Sequence, residues 1–287
     1  MTSRTLENLA SVGSGTFDQA VVVRRIRFTS EPPAGGSVRR RYTQPHPAVA
    51  VQEIVELRDL PAEAHWPEPV DRLHVILAPQ GGPAEWRKKI DAWLAPPDQS
   101  EAQPTVLVEL EGCRIQWRPG KALIQGPADR SEALLDALID FAFYEGELRR
   151  LEQTLLPYET NAPGDVALAY RIKTRHKSHW ERLGRTIECL YTLRLTFARL
   201  EPRLVKGARS MPVEGRRAMS RLLAKTDAAD RLEALSDRLE ACEDLYEGAI
   251  DRITDFRWYL KGYLMEIAIV VLLGLEVIFL LLQFWVH

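Results

Sequence analysis

The sequence predicts an α+β N-terminal domain, followed by a long-helix (coiled-coil) bundle and one C-terminal transmembrane helix. Three observations predict this order. Short β-rich runs occupy residues 17–127, long amphipathic helical patterns occupy residues 128–261, and an almost unbroken apolar run fills most of residues 262–287. Residues 1–16 are polar and contain Gly and Ser, so we expect a flexible tail ahead of the first domain.

Strand-like runs in the first domain are rich in β-branched residues, and they cover residues 18–28, 48–57, 72–78, 105–110, 113–117 and 121–126. Between the third and fourth runs, Trp86, Ile90 and Trp93 recur at i, i+4 and i+7, which is typical of one short helix. The pairs Glu111-Gly112 and Pro119-Gly120 are turn signals. We therefore expect the last three strands to form a meander.

Helical patterns begin after the sixth strand-like run. The first predicted helix begins with a cap at Asp129 or Ser131 and ends before Pro157. A second helix runs from about Val166 to Leu204, because its apolar residues recur at helical spacing. A loop over residues 207–215 then returns the chain to a third helix.

The third helix carries the most regular apolar pattern in the chain. Its apolar residues alternate in steps of three and four for more than four heptads, which is typical of a coiled coil. The residues predicted to form an oligomer seam are Leu232, Leu235, Leu239, Tyr246, Ile253, Phe256 and Leu260. The same pattern also fits packing against the other helices of one chain, so both interpretations stay open. No helix breaker separates the seam from the apolar run, and the two can form one continuous helix.

The apolar run covers residues 264–286 and contains two formal charges, Glu266 and Glu276. A helix of this length rises roughly 34 Å, against a hydrocarbon core of about 30 Å. Three basic residues precede the run: Arg252, Arg257 and Lys261. The excess of positive charge on that side, together with an N-terminus that lacks a signal peptide, places the N-terminal body on the cytoplasmic side. We therefore expect a single-pass protein of the bacterial inner membrane, or of the mitochondrial inner membrane in a eukaryote, with its body on the cytoplasmic or matrix side.

The two acids of the apolar run differ in expected depth. Glu266 lies one turn into the run, where its carboxylate can reach the lipid headgroups. Glu276 lies near the middle, where an ionised acid costs at least about 2.5 to 3.5 kcal/mol. Ten residues separate the acids and leave them roughly 80° apart around the helix axis, so both can lie on one side. That side can meet another copy or line an ion path, so we expect self-association, with an ion channel or transporter as the alternative.

The same pair of acids carries a resemblance to a known family. Residues 265–276 are similar to the paired-acid C-terminus of the required-for-meiotic-nuclear-division family (YagE type). Residues 133–152, 179–195 and 239–253 resemble that family's apolar helix with an acidic end, its basic segment and its Leu-Tyr helix. The resemblance implies a membrane-anchored, oligomeric protein without known catalytic activity, whose mitochondrial members are linked to organellar translation. The order of an α+β domain, long helices and a terminal span also loosely resembles the CorA-type transporters.

A basic stretch of the second helix is a candidate binding surface, formed by Arg171, Lys173, Arg175, Lys177, Arg182 and Arg185. The formal net charge of the chain is -2, so this stretch is a local concentration of positive charge. It can attract the phosphates of RNA, of a ribosome or of anionic lipid, and a solvated helix face is the ordinary alternative. A second group flanks a Pro/Gly loop nearer the N-terminus, namely Arg24, Arg25, Arg27, Arg39, Arg40 and Arg41.

No residue pattern indicates catalysis or a metal site. Three scattered cysteines are expected to be reduced core residues: Cys113, Cys189 and Cys242. His176 and His179 are spaced as possible metal ligands but have no third ligand nearby. Residues 78–86 place glycines between a strand and a helix, without the Lys-Ser/Thr ending of a phosphate loop. We therefore predict a scaffold or tethering protein with no enzymatic activity and no cofactor, and a ribosome or RNA tether as a further alternative.

Overall fold

The computed structural model describes residues 21–31, 37–56, 71–81, 83–95, 105–170, 177–206 and 211–286. It describes the backbone but not the side chains at residues 84, 85, 168–170, 177–179, 206, 279–281 and 283–286. The tail expected over residues 1–16 lies outside the described residues. The chain divides into two compact units, one of Met1–Thr154 and Leu193–Ser236, the other of Leu155–Thr192 and Asp237–His287. The predicted domain boundaries at residues 127 and 261 stay predictions.

A seven-stranded sheet lies in the first unit, with the strand order β2-β3-β1-β4-β7-β6-β5. The strands are β1 (Val22–Thr29), β2 (Ser37–Tyr42), β3 (Ala48–Val55), β4 (Arg72–Ala78), β5 (Val106–Leu110), β6 (Cys113–Arg118) and β7 (Lys121–Gln125). Neighbouring strands are antiparallel except β4 and β7, which pair in parallel. All six predicted strands are confirmed. The strand β2 was not predicted, because its sequence Ser-Val-Arg-Arg-Arg-Tyr has no apolar alternation.

Helix α1 (Ala84–Leu94) lies between β4 and β5 in the chain and confirms the predicted short helix. Trp86, Ile90 and Trp93 are buried in a cluster that also contains Val23 and Ile76 of the sheet. The turns of the predicted meander are confirmed as well. Their glycines adopt positive φ angles, +69° at Gly112 and +76° at Gly120, in the left-handed region that favours glycine.

Helix α2 (Ala128–Tyr170) follows the sheet, and the part of it that lies in the first unit packs aromatic residues against the strands. Phe141 meets Trp117 edge to face at 4.8 Å, and Phe143 stacks on Tyr42 at 3.9 Å between ring centroids. The predicted end before Pro157 is wrong, because α2 continues through two prolines to Tyr170. Each proline removes one backbone donor, and the hydrogen bonds of the surrounding turns maintain the helix.

Three more helices complete the described chain: α3 (Lys177–Lys206), α4 (Val213–Lys225) and α5 (Ala228–Val286). Helix α3 confirms the second predicted helix but begins later, since residues 166–170 belong to α2. Helix α4 was not predicted. It begins within the expected loop over residues 207–215, and it buries Gly215, Ala218, Met219 and Leu222.

Among the described residues, no helix has both the length and the apolar character needed to cross a bilayer. Helix α5 does continue from the seam to Val286 without a break, as expected. Its stretch 261–278 would rise about 27 Å, but it carries three charged side chains: Lys261, Glu266 and Glu276. Each charge near the bilayer centre costs about 2.5 to 3.5 kcal/mol.

The predicted transmembrane helix over residues 262–287 is therefore wrong, and so is the single-pass topology. The placement in a bacterial or mitochondrial inner membrane depended on that helix and is wrong for the same reason. The assignment of the N-terminal body to a cytoplasmic or matrix side also required that helix and is wrong with it. The α+β sheet domain and the long helices of the predicted fold class remain.

Candidate functional site

The exposed apolar part of α5 is the most unusual surface of the second unit. Every residue from 261 to 278 is exposed, and we call residues 264–278 the apolar segment. The exposed fraction reaches 67% at Met265 and Val270 and is 42% even at Ile267. Both acids of the segment, Glu266 and Glu276, are exposed too. Contiguous exposure on this scale is typical of a surface that meets a partner.

Aromatic and basic residues come just before the apolar segment. Trp258 and Tyr259 are 70% and 74% exposed. The Lys261 ammonium lies 5.6 Å from the ring centroid of Trp258, and the Arg257 guanidinium lies 5.4 Å from that of Trp180 in α3. Cation–π contacts at exposed positions contribute about 0.5–1 kcal/mol each. They hold the two cations against rings and leave most of the aromatic surface accessible.

One side of the apolar segment carries both acids, and the opposite side carries no charged residue. At 100° per residue, the acids lie roughly 80° apart, and the direction opposite to both falls close to Val271. The residues on that opposite side are Leu264, Ile267, Ala268, Val271, Gly274, Leu275 and Ile278, and we call them the pairing face. A Cβ added at Gly274 would meet nothing in the described chain. No contact within the described chain therefore explains the glycine, which would permit the close approach of another helix.

The predicted oligomer seam is buried along most of its length within the single chain. Its buried members are Leu232, Leu235, Leu239, Tyr246 and Ile253, all no more than 5% exposed. Phe256 and Leu260 are half-buried. The intramolecular alternative accounts for the buried members, so the surface open to another copy begins near Phe256. Pairing of copies through the seam itself stays a prediction.

Tyr246 forms the polar centre of the buried seam. Its side chain is fully buried, and its hydroxyl donates a hydrogen bond to the Asp165 Oδ2 atom of α2 at 3.0 Å. Arg182 of α3 donates to the other carboxylate oxygen of Asp165. Burial, together with the hydrogen bond to Asp165, raises the pKa of the Tyr246 hydroxyl above its usual value. These side chains join α2, α3 and α5 in the second unit, and the pattern of apolar residues did not reveal them.

The predicted basic surface is only partly described. Arg171, Lys173 and Arg175 lie outside the described residues, and so does the side chain of Lys177. Arg182 is paired with Asp165, and the Arg185 Nε atom donates to the Glu181 carbonyl at 3.3 Å. One of the two described members is therefore neutralised within the chain. Phosphate binding at this stretch stays a prediction.

The N-terminal group of arginines is largely paired with acids. Arg39 donates to the Asp136 Oδ1 atom at 2.6 Å and to the Glu132 Oε2 atom at 2.7 Å, both on α2. Arg24 pairs with Glu132, Arg40 lies 3.6 Å from Asp140, and Arg25 and Arg27 pair with Glu53. These pairs attach β1 and β2 to α2 and β3, which explains Arg39 and Arg40 of the edge strand without an external ligand.

A cavity in the first unit was not predicted. It has a volume of about 460 Å³ and lies between the end of α3, α4 and the start of α5. Its lining is mainly apolar and includes Leu204, Met211, Met219 and Leu232. The cavity depends on α4, which sequence reasoning missed. The two methionines, eight residues apart, were the signal that could have been followed, because methionine often lines adaptable sites.

The prediction that the cysteines are core residues is confirmed for two of the three, and the side chains of the possible metal ligands lie outside the described residues. Cys113 and Cys242 are buried free thiols, as expected, whereas Cys189 is exposed and is not a core residue. His176 and the side chain of His179 lie outside the described residues. Within the described part of the chain, no group of three or more His, Cys, Asp or Glu side chains is placed to hold a metal ion.

Comparison with known proteins gives little guidance. No protein-family model matches the chain, and no curated protein matches it. One similar solved structure is the cytoplasmic domain of ZntB from Vibrio parahaemolyticus, with 10% sequence identity over 68% of this chain and 88% of that domain. Its TM-score is 0.25, which is too low to carry an argument about fold or function. The resemblance to the YagE family finds no support in these comparisons.

Proposed function

We propose that this chain is a non-catalytic scaffold protein whose copies associate through the apolar segment of α5. The observation that supports the proposal is the exposure of eleven large apolar side chains between Leu264 and Ile278. Helices of globular proteins normally expose a polar face and bury an apolar stripe. This segment instead exposes apolar residues all around its axis, so it needs a partner surface.

The exposed area is large enough for a stable contact. At about 100 Å² for each half-exposed side chain, the apolar segment presents on the order of 1,000 Å². The largest apolar patch on a typical monomer is about 300 to 600 Å². Specific interfaces bury roughly 1,200 to 2,000 Å² counted over both partners. Two copies of this segment therefore together present about as much apolar surface as a standard interface buries.

The acids favour one arrangement of the copies. Burying an ionised carboxylate without a partner is costly, so association should leave Glu266 and Glu276 in water. The pairing face lies on the opposite side of α5 and contains Gly274, where helices can approach closely. Association through this face covers one side of each helix. Since apolar residues surround the axis, we expect an assembly of more than two copies.

The test is the mass of the purified full-length chain, measured by size-exclusion chromatography with light scattering over a range of concentrations. We expect a homo-oligomer, and we expect Val271→Glu to raise its dissociation constant at least tenfold, because the new carboxylate would be buried in the contact. The matched control is Leu273→Glu. It makes the same kind of change between the two acids and should alter the dissociation constant less than threefold.

A monomeric wild-type chain at every concentration would overturn the proposal. Equal weakening by Val271→Glu and Leu273→Glu would show that the segment associates without a preferred face, which contradicts the assigned contact. A monomer that floats with phosphatidylcholine vesicles would also contradict it, because lipid would then cover the segment in place of a second copy.

The other predicted functions have less support. An ion path lined by Glu276 needs a helix that crosses a membrane, and the described residues contain none. Binding of RNA, a ribosome or anionic lipid at Arg171 to Arg185 depends on residues that are mostly outside the described ranges, and Arg182 is already paired. Self-association is supported by side chains that the structure does describe.

A further inference from the structure

We propose that the cavity between α3, α4 and α5 is a binding site for a medium-chain aliphatic carboxylate. Its volume of about 460 Å³ falls in the range of small-molecule sites, about 300 to 1,000 Å³. All of its lining residues belong to the first unit, so the site does not depend on the apolar segment of α5.

The wall of the cavity fits an aliphatic chain. Leu204, Met211, Met219 and Leu232 line it and are no more than 5% exposed. Buried methionine side chains are flexible and polarisable, and they adapt to chains of different length. Small residues leave the space open: Ala224, Ala228 and Ala229 also line the cavity.

Two polar side chains at the cavity fit a carboxylate. Arg216 and Ser220 both line it, and they lie one helical turn apart on the same side of α4. Both are exposed, and neither side chain has a hydrogen bond or ion pair with another described residue. Arginine and hydroxyl donors together match the two oxygens of a carboxylate.

The charge of the lining is complementary to an anion. No acid is present among the lining residues that the structure describes, and Arg216 is the cation there. Elsewhere in the unit, the half-buried arginines Arg39 and Arg231 are each paired with two acids. An apolar cavity with a single available cation at its edge selects an amphipathic anion over a neutral chain or a small anion.

The test is binding of radiolabelled decanoate to the full-length chain, measured by equilibrium dialysis. We expect saturable binding of one decanoate per chain, at least tenfold tighter than decanol, which has the same chain without the charge. Arg216→Gln should weaken decanoate binding at least tenfold. The matched control is Arg217→Gln, which removes a neighbouring exposed arginine that does not line the cavity and should change binding less than twofold.

Two filling variants separate this site from the apolar segment of α5. Ala224→Phe and Ala229→Phe should each abolish saturable binding, since both alanines line the cavity and are exposed enough to accept a larger side chain. Val271→Glu should leave decanoate binding unchanged, so failure of self-association and failure of this site are distinguishable. Non-saturable uptake, equal binding of decanol, or wild-type affinity in Arg216→Gln would overturn the proposal. A change of oligomeric state in the filling variants without any decanoate binding would also overturn it, because the cavity would then be a contact between copies.

Discussion

Two parts of the same helix α5 both carry many apolar residues but have opposite surroundings. From Leu239 to Ile253, the apolar residues at heptad positions are buried within the chain, and Tyr246 is fully buried. From Leu264 to Ile278, the exposed fractions of the large apolar residues range from 42% to 67%. This difference shows that a heptad pattern identifies a helix surface that will be buried. It does not show whether the same chain or a partner buries that surface.

The buried part is also fixed by polar contacts. Tyr246 and Arg238 of α5 reach Asp165 and Glu159 of α2 in the second unit. The two charged residues of the apolar segment, Glu266 and Glu276, are exposed. Charge-assisted contacts orient the first part against a particular neighbour. The second part lacks such contacts within the described chain, and its partner must therefore be selected by shape and apolar area.

The two parts of α5 should differ most in the stability that is lost when one leucine in each part is replaced by alanine. Leu239→Ala should lower the free energy of unfolding by about 2–5 kcal/mol, because it leaves a cavity at a side chain that is 2% exposed. Leu273→Ala should change it by less than about 0.5 kcal/mol, since that residue is 56% exposed and lies away from the pairing face. Urea unfolding at a fixed chain concentration measures both, and similar losses would show that Leu273 is covered in solution.

A second pair tests the charged residues of α5. The Arg231 side chain is held by Glu152 at 2.7 Å and by Glu145 at 3.1 Å, and Glu145 is 2% exposed. Arg231→Met should lower the free energy of unfolding by about 2–3 kcal/mol. Removing one partner of a buried pair costs about 3–5 kcal/mol, and Arg149 still pairs with Glu145 to reduce that loss.

The control for this change is Arg257→Met in the exposed part of α5. Arg257 makes a cation–π contact with Trp180, so its loss should cost about 0.5–1 kcal/mol. Chemical unfolding of both variants gives the comparison. A cost at Arg257 as large as that at Arg231 would mean that the exposed part of α5 is held as firmly as the buried part.

Strong periodicity made several elements of the fold predictable from the sequence. The spacing of Trp86, Ile90 and Trp93 located α1, and the Gly112 and Gly120 turns located the meander. The end of α2 was missed because Pro157 is a reliable helix breaker only where neighbouring contacts do not hold the helix. Strand β2 was missed because Arg39 and Arg40 pair with acids far away in the sequence, and no local pattern shows such pairing.

The candidate site was predictable only in part for a related reason. The sequence shows that the apolar segment is apolar and that its two acids share one side. It does not show that the seam is buried within the chain as far as Ile253, or that a cavity opens beside α4. Burial and cavities depend on which helices meet, and that information is spread over residues distant in the chain.

The smallest expected effect concerns the hydroxyl of Tyr246, which distinguishes polar anchoring from apolar burial within the first part of α5. Tyr246→Phe keeps the buried ring and removes the hydrogen bond to Asp165, so it should lower the free energy of unfolding by about 1 kcal/mol at pH 7. The pKa of this hydroxyl is raised in the folded chain. The folded state therefore retains the proton where the unfolded state has begun to lose it, and stability should fall as the pH rises above about 10.

This alkaline loss should be smaller in Tyr246→Phe, which has no proton to lose at that position. Thermal unfolding of both proteins between pH 7 and pH 11 measures the difference. Tyr259, which is 74% exposed, provides the control, because removal of its hydroxyl should leave the free energy of unfolding at pH 7 unchanged. An equal alkaline loss in wild type and Tyr246→Phe would show that the hydroxyl is not held by Asp165 in solution. Burial of apolar side chains would then be what anchors the first part of α5. That part would differ from the apolar segment only in being buried within the chain.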